Sequence, residues 1–350
     1  MDAVAAAPPD PELIYRYRDG VFRSQLFTAA VVVLDLFNWL EENPCDFVGL
    51  CEGLELAARP ADVLLTLVRA MGLVSLDSDG VLRLTAIARD HLLRRSPRDV
   101  TAYFASLGGG PVVRDMVQVL RTGVPANWAG GEDALDWHAG MVTDEFSRSF
   151  TAAMDARGHY LGEALAGLLD LHGRRRLLDV AGGSGVYACR LAACNPGLTA
   201  IVLEQAPVDA IAREAVARRG FADRVEVLSA EMFSGRWPED CDAHLFSNVL
   251  HDWDVPEVKS LLARSYDSMP GGGMVVVHEA FLNRAKDGPL PVAEYSAILM
   301  HATRGRCYGI GEMEDFLRVA GFVRPRYRTT AADRGFFIAQ KPQEPVGFAP

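Results

Sequence analysis

The sequence LLDVAGGSG, at residues 177–185, decides the fold. It starts as a short apolar run, predicted as a strand at 177–181, and ends in a cluster of glycines, a pattern typical of a buried strand that enters a ligand-binding turn. Apolar residues then recur at helical spacing over residues 186–193. The segment therefore predicts the first strand–turn–helix unit of an α/β domain, with a ligand at the turn.

Strands and helices alternate in the sequence after this turn. We predict strands at 200–204, 225–229, 243–249 and 274–278, helices at 207–219, 254–268 and 313–320, and a closing hairpin at 326–330 and 336–340. Such alternation is typical of a doubly wound parallel sheet. Because ligands of these sheets lie beyond the carboxyl ends of the strands, we look for the functional residues there.

The sequence before the turn is mostly helical. Apolar residues recur at helical spacing over residues 22–37 and 63–71, and residues 73–84 contain two short apolar strands around an Asp-Gly turn. Helices followed by such a hairpin predict a winged-helix unit. The apolar faces over residues 26–40 predict that this unit pairs with a second copy of the chain, as a homodimer.

The charge balance argues against a nucleic-acid partner. The 350 residues include 46 acidic and 35 basic side chains, a formal net charge of −11. Residues 1–110 contain 10 arginines, no lysine and 15 acidic residues. A phosphate backbone binds basic surfaces, so this winged helix is predicted to serve dimerisation and not DNA binding.

Membrane attachment and export are not predicted either. The longest smooth apolar stretch, residues 26–34, is far shorter than the roughly 20 residues that span a bilayer. Residues 1–10 lack the basic region of a targeting segment. The six cysteines form no CxxC pair or regular framework, which favours free thiols in a reducing compartment. We therefore expect a cytoplasmic protein.

Three carboxylates follow consecutive predicted strands. Asp179 lies in the turn, where it can hold an ammonium group; Glu204 ends the second strand, where it can accept both hydroxyls of a ribose. Glu231 follows the third strand and is placed to meet an adenine amino group. The turn also contains three glycines that allow a ligand to approach the backbone: Gly182, Gly183 and Gly185.

Two cofactors are compatible with these residues. Residues 183–188 match the dinucleotide pattern G-x-G-x-x-A, and Glu204 lies about 20 residues further on, as that pattern requires. However, Asp179 would repel a pyrophosphate and attract an amino-acid ammonium. The closing hairpin also differs from a second mononucleotide-binding half. Both features favour S-adenosylmethionine over NAD.

Four motifs then carry a family resemblance: LDVAGGSG at 178–185, AEMF at 230–233, VLHDW at 249–253 and AGF at 320–322. Over residues 12–340 the chain resembles small-molecule methyltransferases of the caffeate/hydroxyneurosporene O-methyltransferase type. The resemblance implies a class I methyltransferase with a Rossmann-like sheet and a winged-helix dimerisation domain. Ala181 replaces the family's first loop glycine and Glu231 its usual Asp, both mild departures.

The resemblance also implies how the chain is divided. The dimerisation domain takes residues 1–110, a helical linker that contributes to the substrate pocket takes 111–173, the S-adenosylmethionine-binding catalytic domain takes 174–342, and a tail takes 343–350. Further cofactor contacts are expected from three residues near the strand ends: Met232, Phe233 and Ser247. A regulator that senses a small molecule through a decayed domain is an alternative, but the intact cofactor carboxylates argue against it.

The L-H-D-W motif implies a general base. In the resembled O-methyltransferases this histidine takes a proton from a phenol and is flanked by two glutamates. His251 matches the histidine and Glu279 the first glutamate. Cys307 stands where the second glutamate is expected, which weakens the prediction of a phenol acceptor.

A metal site is the competing prediction. His251, Asp252 and the later His301 supply two imidazoles and a carboxylate, a ligand set that suits Fe(II) or Zn(II). The resembled superfamily includes α-keto acid C-methyltransferases in which such a triad chelates the substrate. The sequence thus predicts C-methylation beside the ketone of a 2-oxo acid through a metal-bound enolate. The alternative is O-methylation of a phenolic or polyketide hydroxyl with His251 as base.

The predicted substrate pocket draws on two segments. Phe150 and Met154 share one face of a predicted helix. The remaining members lie near the expected metal triad and include two arginines that could pair with a carboxylate: Met300, Arg304, Arg306 and Cys307.

Overall fold

A computed structural model of the chain describes residues 9–126, 141 and 143–343. The described α-helices, in chain order, are Glu12–Asp19 (α1), Arg23–Thr28 (α2), Leu36–Glu42 (α3), Phe47–Gly53 (α4), Ala58–Ala70 (α5), Ala86–His91 (α6), Thr101–Ala105 (α7), Pro111–Thr122 (α8), Asp144–Ala166 (α9), Val186–Cys194 (α10), Val208–Arg218 (α11), Val255–Ser268 (α12), Leu290–Ala302 (α13) and Ile310–Val319 (α14). A π-helical turn covers Ala29–Val33 and a 3-10 turn covers Leu250–Asp252.

The described strands form a hairpin and a seven-stranded sheet. They are Val74–Leu76 (β1), Leu82–Leu84 (β2), Arg176–Val180 (β3), Thr199–Glu204 (β4), Val225–Ser229 (β5), Ala243–Ser247 (β6), Met274–Glu279 (β7), Val323–Thr329 (β8) and Gly335–Gln340 (β9). The large sheet has the order β5-β4-β3-β6-β7-β9-β8. Strands β3 to β7 pair in parallel, whereas β9 pairs antiparallel with both β7 and β8. The predicted parallel sheet and closing hairpin are therefore confirmed.

The direction of the chain reverses at the centre of the sheet. From β3 the chain proceeds outward to β4 and β5, and then crosses to β6 and β7 on the other side of β3. Neighbouring connections that leave in opposite directions open a crevice at the carboxyl ends of the central strands. The turn after β3 and the loop after β6 lie at this crevice, so the topology brings both motifs together.

The N-terminal helices and part of the C-terminal half share one hydrophobic core. Helix α13 packs against α5, and its residues Ala297 and Met300 belong to the same buried cluster as Leu26 and Leu64. Strands β1 and β2 pair antiparallel with Val74 opposite Leu84, which confirms the predicted hairpin. The assignment of this region as a winged-helix domain stays a prediction.

Two further predictions concern membrane attachment and the predicted linker and tail. In the part of the chain that the structure describes, no helix is long and apolar enough to cross a membrane. The predicted tail, residues 343–350, lies outside the described residues apart from Gln343, and so does part of the predicted linker, at 127–140 and 142.

Candidate active site

A cavity of about 590 Å³ lies beyond the carboxyl ends of β3, β4, β5 and β6. Its floor consists of the turn after β3 and the loop at residues 247–253. Its opposite wall comes from three helices, α1, α9 and α13. A cavity of this size can take a small ligand beside a nucleoside, and its position is the one expected for a doubly wound sheet.

Asp179 is a buried carboxylate with no partner. Its side chain is 1% exposed, and neither carboxylate oxygen has a hydrogen-bond partner among the described residues. Burial, with a smaller contribution from the nearby charge of Glu204, raises its pKa to about 7. A Cβ atom at Gly182 would lie 2.6 Å from the Asp179 carboxyl, so only glycine leaves this side of the carboxylate open. A bound ammonium would satisfy it, as predicted from the sequence.

Glu204 and Gly183 fix the shape of the turn. The backbone N–H of Gly183 donates a 2.9 Å hydrogen bond to Oε1 of Glu204, and the N–H of Gln205 donates to Oε2 at 3.1 Å. Burial raises the pKa of Glu204 to about 7 despite these two bonds. Both Gly183 and Glu204 line the cavity. The geometry therefore suits a carboxylate that accepts hydroxyl groups of a nucleoside.

A left-handed backbone conformation explains two of the three glycines in the turn. Gly183 and Gly185 have φ values of +58° and +72°, which glycine adopts readily. Gly185 begins α10 behind the cavity wall, where a Cβ atom would approach Val202 and Val216 at about 3 Å. Ala181 also has a positive φ, +50°, although it carries a side chain. This residue therefore holds backbone strain in the cofactor turn.

The remaining predicted cofactor residues differ in their roles. Glu231 and Met232 line the cavity, but Oε2 of Glu231 accepts hydrogen bonds from the N–H groups of Phe233 and Ser234, at 2.8 and 2.7 Å. Glu231 therefore stabilises its own loop with that oxygen. The Phe233 ring packs edge-on against Trp253, a cavity residue, at 4.7 Å between centroids.

Ser247 also lines the cavity, at the end of β6. Its hydroxyl lies 3.1 Å from Nδ1 of His278. Asn248 follows with a left-handed φ of +55°, and its amide donates to the Tyr187 hydroxyl at 3.2 Å. These contacts fix the start of the loop that carries the candidate base.

His251 and Glu279 form a buried pair at the end of neighbouring strands. Oε1 of Glu279 accepts hydrogen bonds from the N–H groups of Val249 and Leu250, at 2.8 and 3.0 Å, while Oε2 lies against Nδ1 of His251. The two side chains are 4% and 3% exposed. Because Nδ1 faces Glu279, Nε2 is the nitrogen left to meet an acceptor in the cavity. Oδ1 of Asp252 lies 3.6 Å from it.

The charges around His251 adjust its pKa. Burial alone would lower the pKa of His251, but the carboxylates of Glu279 and Asp252 together outweigh burial and raise it above the usual value. Burial also raises the pKa of Asp252 to about 6, although His251 opposes the rise. The neighbouring carboxylates therefore increase the affinity of His251 for a proton, as a general base requires.

The predicted metal triad is not formed. Among residues 9–126, 141 and 143–343, no three His, Cys, Asp or Glu side chains form a group that could hold a metal ion. His301 lies in the last turn of α13, where its ring packs on Phe22 at 4.6 Å between centroids and Nε2 lies 3.9 Å from Asp115. It does not line the cavity that contains His251 and Asp252.

The structure places one of the two segments predicted for the substrate pocket at the cavity. Phe150 and Met154 line the cavity. The four residues near His301 do not: Met300, Arg304, Arg306 and Cys307.

Each of these four has a different environment. Met300 packs into the N-terminal core, and Cys307 is fully buried there, with its N–H bound to the Ser296 hydroxyl. Arg306 donates to Glu312 at 2.7 Å and stacks over the Tyr308 ring, so its charge is already neutralised. Arg304 is exposed on the surface.

Sequence reasoning missed the residues of the opposite wall. Helix α1 contributes four residues to the cavity: Ile14, Tyr15, Arg18 and Asp19. This helix is held in place by two ion pairs with the turn before β9, Arg16 with Asp333 and Asp19 with Arg334, each at 2.7 Å. No local pattern in residues 12–19 identifies so distant a partner.

Arg157 and Tyr295 are two further wall residues that the sequence analysis did not predict. Arg157 lies three residues after Met154 and seven after Phe150, so all three share one face of α9. That spacing could have revealed Arg157. Its guanidinium donates to the Tyr295 hydroxyl at 3.1 Å. Tyr295 in turn presents its ring perpendicular to His251, at 5.7 Å between centroids.

Helix α9 is also tied to the cofactor turn. The Asp155 carboxylate accepts hydrogen bonds from the Ser184 hydroxyl and from the guanidinium of Arg219. Arg219 donates to the carbonyl of Ser184 as well, at 3.3 Å. The helix that lines the wall and the turn after β3 are therefore joined by one partly buried network.

Comparisons with known proteins agree with this geometry. The family model for the O-methyltransferase domain matches residues 113–323. A relative from Streptomyces sahachiroi, 3-hydroxy-5-methyl-1-naphthoate 3-O-methyltransferase, is 32% identical over 315 residues, which cover 89% of each chain. An O-methyltransferase family 2 protein from Planctomyces limnophilus, solved in complex with apigenin, has 30% identity and a TM-score of 0.86, and the match covers 97% of this chain and 99% of that one.

A third comparison finds the same fold in a more distant protein. Human N-acetylserotonin methyltransferase, solved with S-adenosylmethionine, shares the fold with a TM-score of 0.60 at 23% identity, and the match covers 97% of this chain and all of that one. The unpartnered Asp179 and the open side of Gly182 suit the amino-acid end of S-adenosylmethionine, the cofactor expected from the sequence. The chain therefore belongs to the O-methyltransferase family and is an S-adenosylmethionine-dependent methyltransferase.

Proposed function

We propose that the enzyme O-methylates a hydroxyl group of an aromatic small molecule in specialised metabolism. The observation that carries this proposal is the His251–Glu279 pair, which turns Nε2 toward the cavity and leaves Nδ1 against a carboxylate. A relative that methylates a hydroxynaphthoate supports an aromatic acceptor. The aromatic and aliphatic side chains of the cavity wall would bury the rings of such a molecule.

The residues of the chain supply a general base and align the acceptor with the cofactor. Bound S-adenosylmethionine supplies an electrophilic methyl group on a sulfonium. Nε2 of His251 accepts the hydroxyl proton, so that the acceptor oxygen gains the electron pair it needs to form the new O–CH₃ bond while the S–CH₃ bond breaks. Glu279 stabilises the imidazolium that results. Asp179 and Glu204 hold the cofactor, and the walls of the cavity align the acceptor with it.

The 2-oxo acid reaction has less support. It requires His251, Asp252 and His301 to meet at one ion, but His301 packs against Phe22 outside the cavity. The described residues form no alternative group of three metal ligands. A base mechanism needs only His251 and its partner Glu279, which are in contact.

The test is product formation on a panel of naphthols and 2-oxo acids, with and without a chelator. We expect a methyl ether from a naphthol, identified by NMR, at a rate that EDTA does not change. His251→Ala should lose roughly 10²- to 10⁴-fold in rate, the usual value of a general base. The matched variant His301→Ala should stay within a few-fold of wild type. Methylation at the carbon of a 2-oxo acid, abolished by EDTA and by His301→Ala, would contradict the proposal.

We also propose that residues 1–110 mediate a homodimer and that residues 111–173 serve as a pocket-forming linker. The N-terminal unit exposes apolar side chains that a second copy could cover. The exposed residues near α7 and the π-helical turn are Val33, Val100, Tyr103 and Leu107. Such clustering favours an interface over an isolated surface.

A further inference from the structure

Two arginines line the cavity without a carboxylate partner. Within the described ranges, neither Arg18 nor Arg157 has a carboxylate oxygen within 4 Å. The nearby acids are engaged elsewhere: Asp155 pairs with Arg219, and Asp19 pairs with Arg334. Arg157 is partly buried, and a partly buried guanidinium without a contacting carboxylate can form strong charge-assisted hydrogen bonds with an anion that enters the cavity. The cavity is therefore prepared for an anion.

Arg157 lies on the acceptor side of the site. Its guanidinium donates to the Tyr295 hydroxyl, and the Tyr295 ring separates it from the imidazole of His251. The hydroxyl of Tyr15 binds the backbone carbonyl of Arg157 at 3.0 Å, which fixes this part of α9 against α1. The cation is thus held about one aromatic ring away from the base.

The separation of Arg157 from His251 indicates which acceptors could contact both side chains. Guanidinium groups bind carboxylates through paired, charge-assisted hydrogen bonds. A carboxylate at Arg157 would hold the ring that carries it alongside Tyr295, with a hydroxyl of that ring at Nε2 of His251. We propose that Arg157 binds a carboxylate of the acceptor, so that the preferred substrates are hydroxylated aromatic acids; this rests on the O-methylation proposed above.

The first test compares an acid with its uncharged counterpart. Binding of 3-hydroxy-1-naphthoate and of its methyl ester is measured by calorimetry on the protein saturated with S-adenosylhomocysteine. The acid should bind roughly 10- to 100-fold more tightly than the ester, the usual range for hydrogen bonds to a charged group. An acid that binds no more tightly than its ester would overturn the proposal.

Variants then assign the preference to one residue. Arg157→Gln should remove the preference for the acid and leave affinity for the ester within about twofold, whereas Arg157→Lys should keep part of the preference because it keeps the charge. Arg148→Gln is the matched control: Arg148 lies on the same helix, is exposed and pairs with Glu214 outside the cavity. Should Arg157→Gln fail to fold, the lysine variant still decides, since an unchanged preference there would contradict bidentate binding.

The cofactor's own carboxylate is the other source of the same chemistry. If Arg157→Gln weakens S-adenosylhomocysteine binding and leaves the acid–ester preference intact, Arg157 holds the cofactor and the proposal is wrong. Because these measurements need no turnover, they are independent of the proposed reaction. A protein that prefers the acid through Arg157 but forms no methyl ether would contradict the proposed O-methylation and support the carboxylate site.

Discussion

Glu279 contacts His251 directly and also binds the backbone of the loop that carries it. One carboxylate oxygen accepts from the N–H groups of Val249 and Leu250, and the other lies against Nδ1 of the imidazole. The same side chain therefore sets the position of the base and its affinity for a proton. A substitution that removes the charge of Glu279 and keeps the shape of its side chain can separate these two effects.

Glu279→Gln keeps the size of the side chain and removes its negative charge. Because the carboxylate raises the pKa of His251, we expect the pKa to fall in the variant. His251 must be neutral to accept a proton, so activity rises with pH through this pKa. The acidic limb of the kcat/KM profile should therefore move to lower pH, while the rate on the plateau falls by about 10²-fold.

The control is Glu163→Gln, an exposed residue of α9 whose side chain is remote from the base. Its pH profile should match that of the wild type. An acidic limb that stays in place or moves to higher pH in Glu279→Gln would show that Glu279 does not set the pKa of His251.

Asp179 predicts a pH-dependent affinity for the cofactor. In the empty site its pKa is raised to about 7 by burial, and the ammonium of S-adenosylmethionine requires the ionised form. Affinity should therefore fall as the pH drops through about 7, and Asp179→Asn should weaken binding by roughly 10- to 100-fold. Part of the pH dependence should remain in the variant, because burial also raises the pKa of Glu204 to about 7.

Calorimetric titrations with S-adenosylmethionine at several pH values check this expectation. Asp267→Asn, an exposed position on α12, serves as the matched control. Affinity that is independent of pH in the wild type, or unchanged in Asp179→Asn, would remove Asp179 from the cofactor site.

Ala181→Gly should stabilise the protein. Ala181 has a φ of +50°, a conformation that costs a residue with a side chain about 1–2 kcal/mol. The greater freedom of glycine in the unfolded chain offsets about 0.4–1 kcal/mol of this relief, so a net gain of up to about 1.6 kcal/mol is expected in chemical denaturation. Ala192→Gly, in the last turn of α10, should instead lose stability. A loss at both positions would contradict strain at Ala181.

Tyr103→Glu tests the proposed dimer. The Tyr103 side chain is 83% exposed beside other apolar residues of the N-terminal unit. A charge there should convert a homodimer into a monomer in light scattering, without a change in secondary structure. Val319→Glu, an exposed apolar position on α14, should leave the assembly unchanged. A wild-type monomer at micromolar concentration would refute the dimer itself.

The sheet could be predicted because its signals are local. β5 occupies the residues expected from the sequence, 225–229, and the strand that holds Asp179 is displaced by one residue, from 177–181 to 176–180. Once the strands are known, the parallel topology dictates that Asp179 and Glu204 face the same crevice. The cofactor half of the site thus depends on strand ends alone.

The predicted metal triad does not form because it required His301 to face the same side of α13 as Tyr295. Tyr295 and His301 are six residues apart on α13, which places them about 120° apart around the helix axis. Tyr295 faces His251, so His301 faces a different side and packs on Phe22. Sequence separation from the L-H-D-W motif carries no information about that rotation.

Ion pairs that form only in the folded chain also determine which arginines are left without a carboxylate partner. Arg306 was predicted as a pocket cation, but Glu312 and Asp62 neutralise it. Arg157 escaped the prediction because nothing in the sequence shows that the acids near it in space, Asp19 and Asp155, are engaged by Arg334 and Arg219. The charge left for a ligand depends on every pairing in the fold.

The origin of the two cavity walls bears on how such an enzyme can acquire new acceptors. The residues proposed to bind the cofactor and to act as base follow strands of the sheet, whereas much of the proposed acceptor wall comes from α1, α9 and α13. Substitutions at Ile14, Phe150 or Ile298 change the shape of that wall while leaving the residues that bind the cofactor in place. Selection on these helices can thus diversify the acceptor without rebuilding the chemistry, which makes them the positions to randomise in a directed-evolution library.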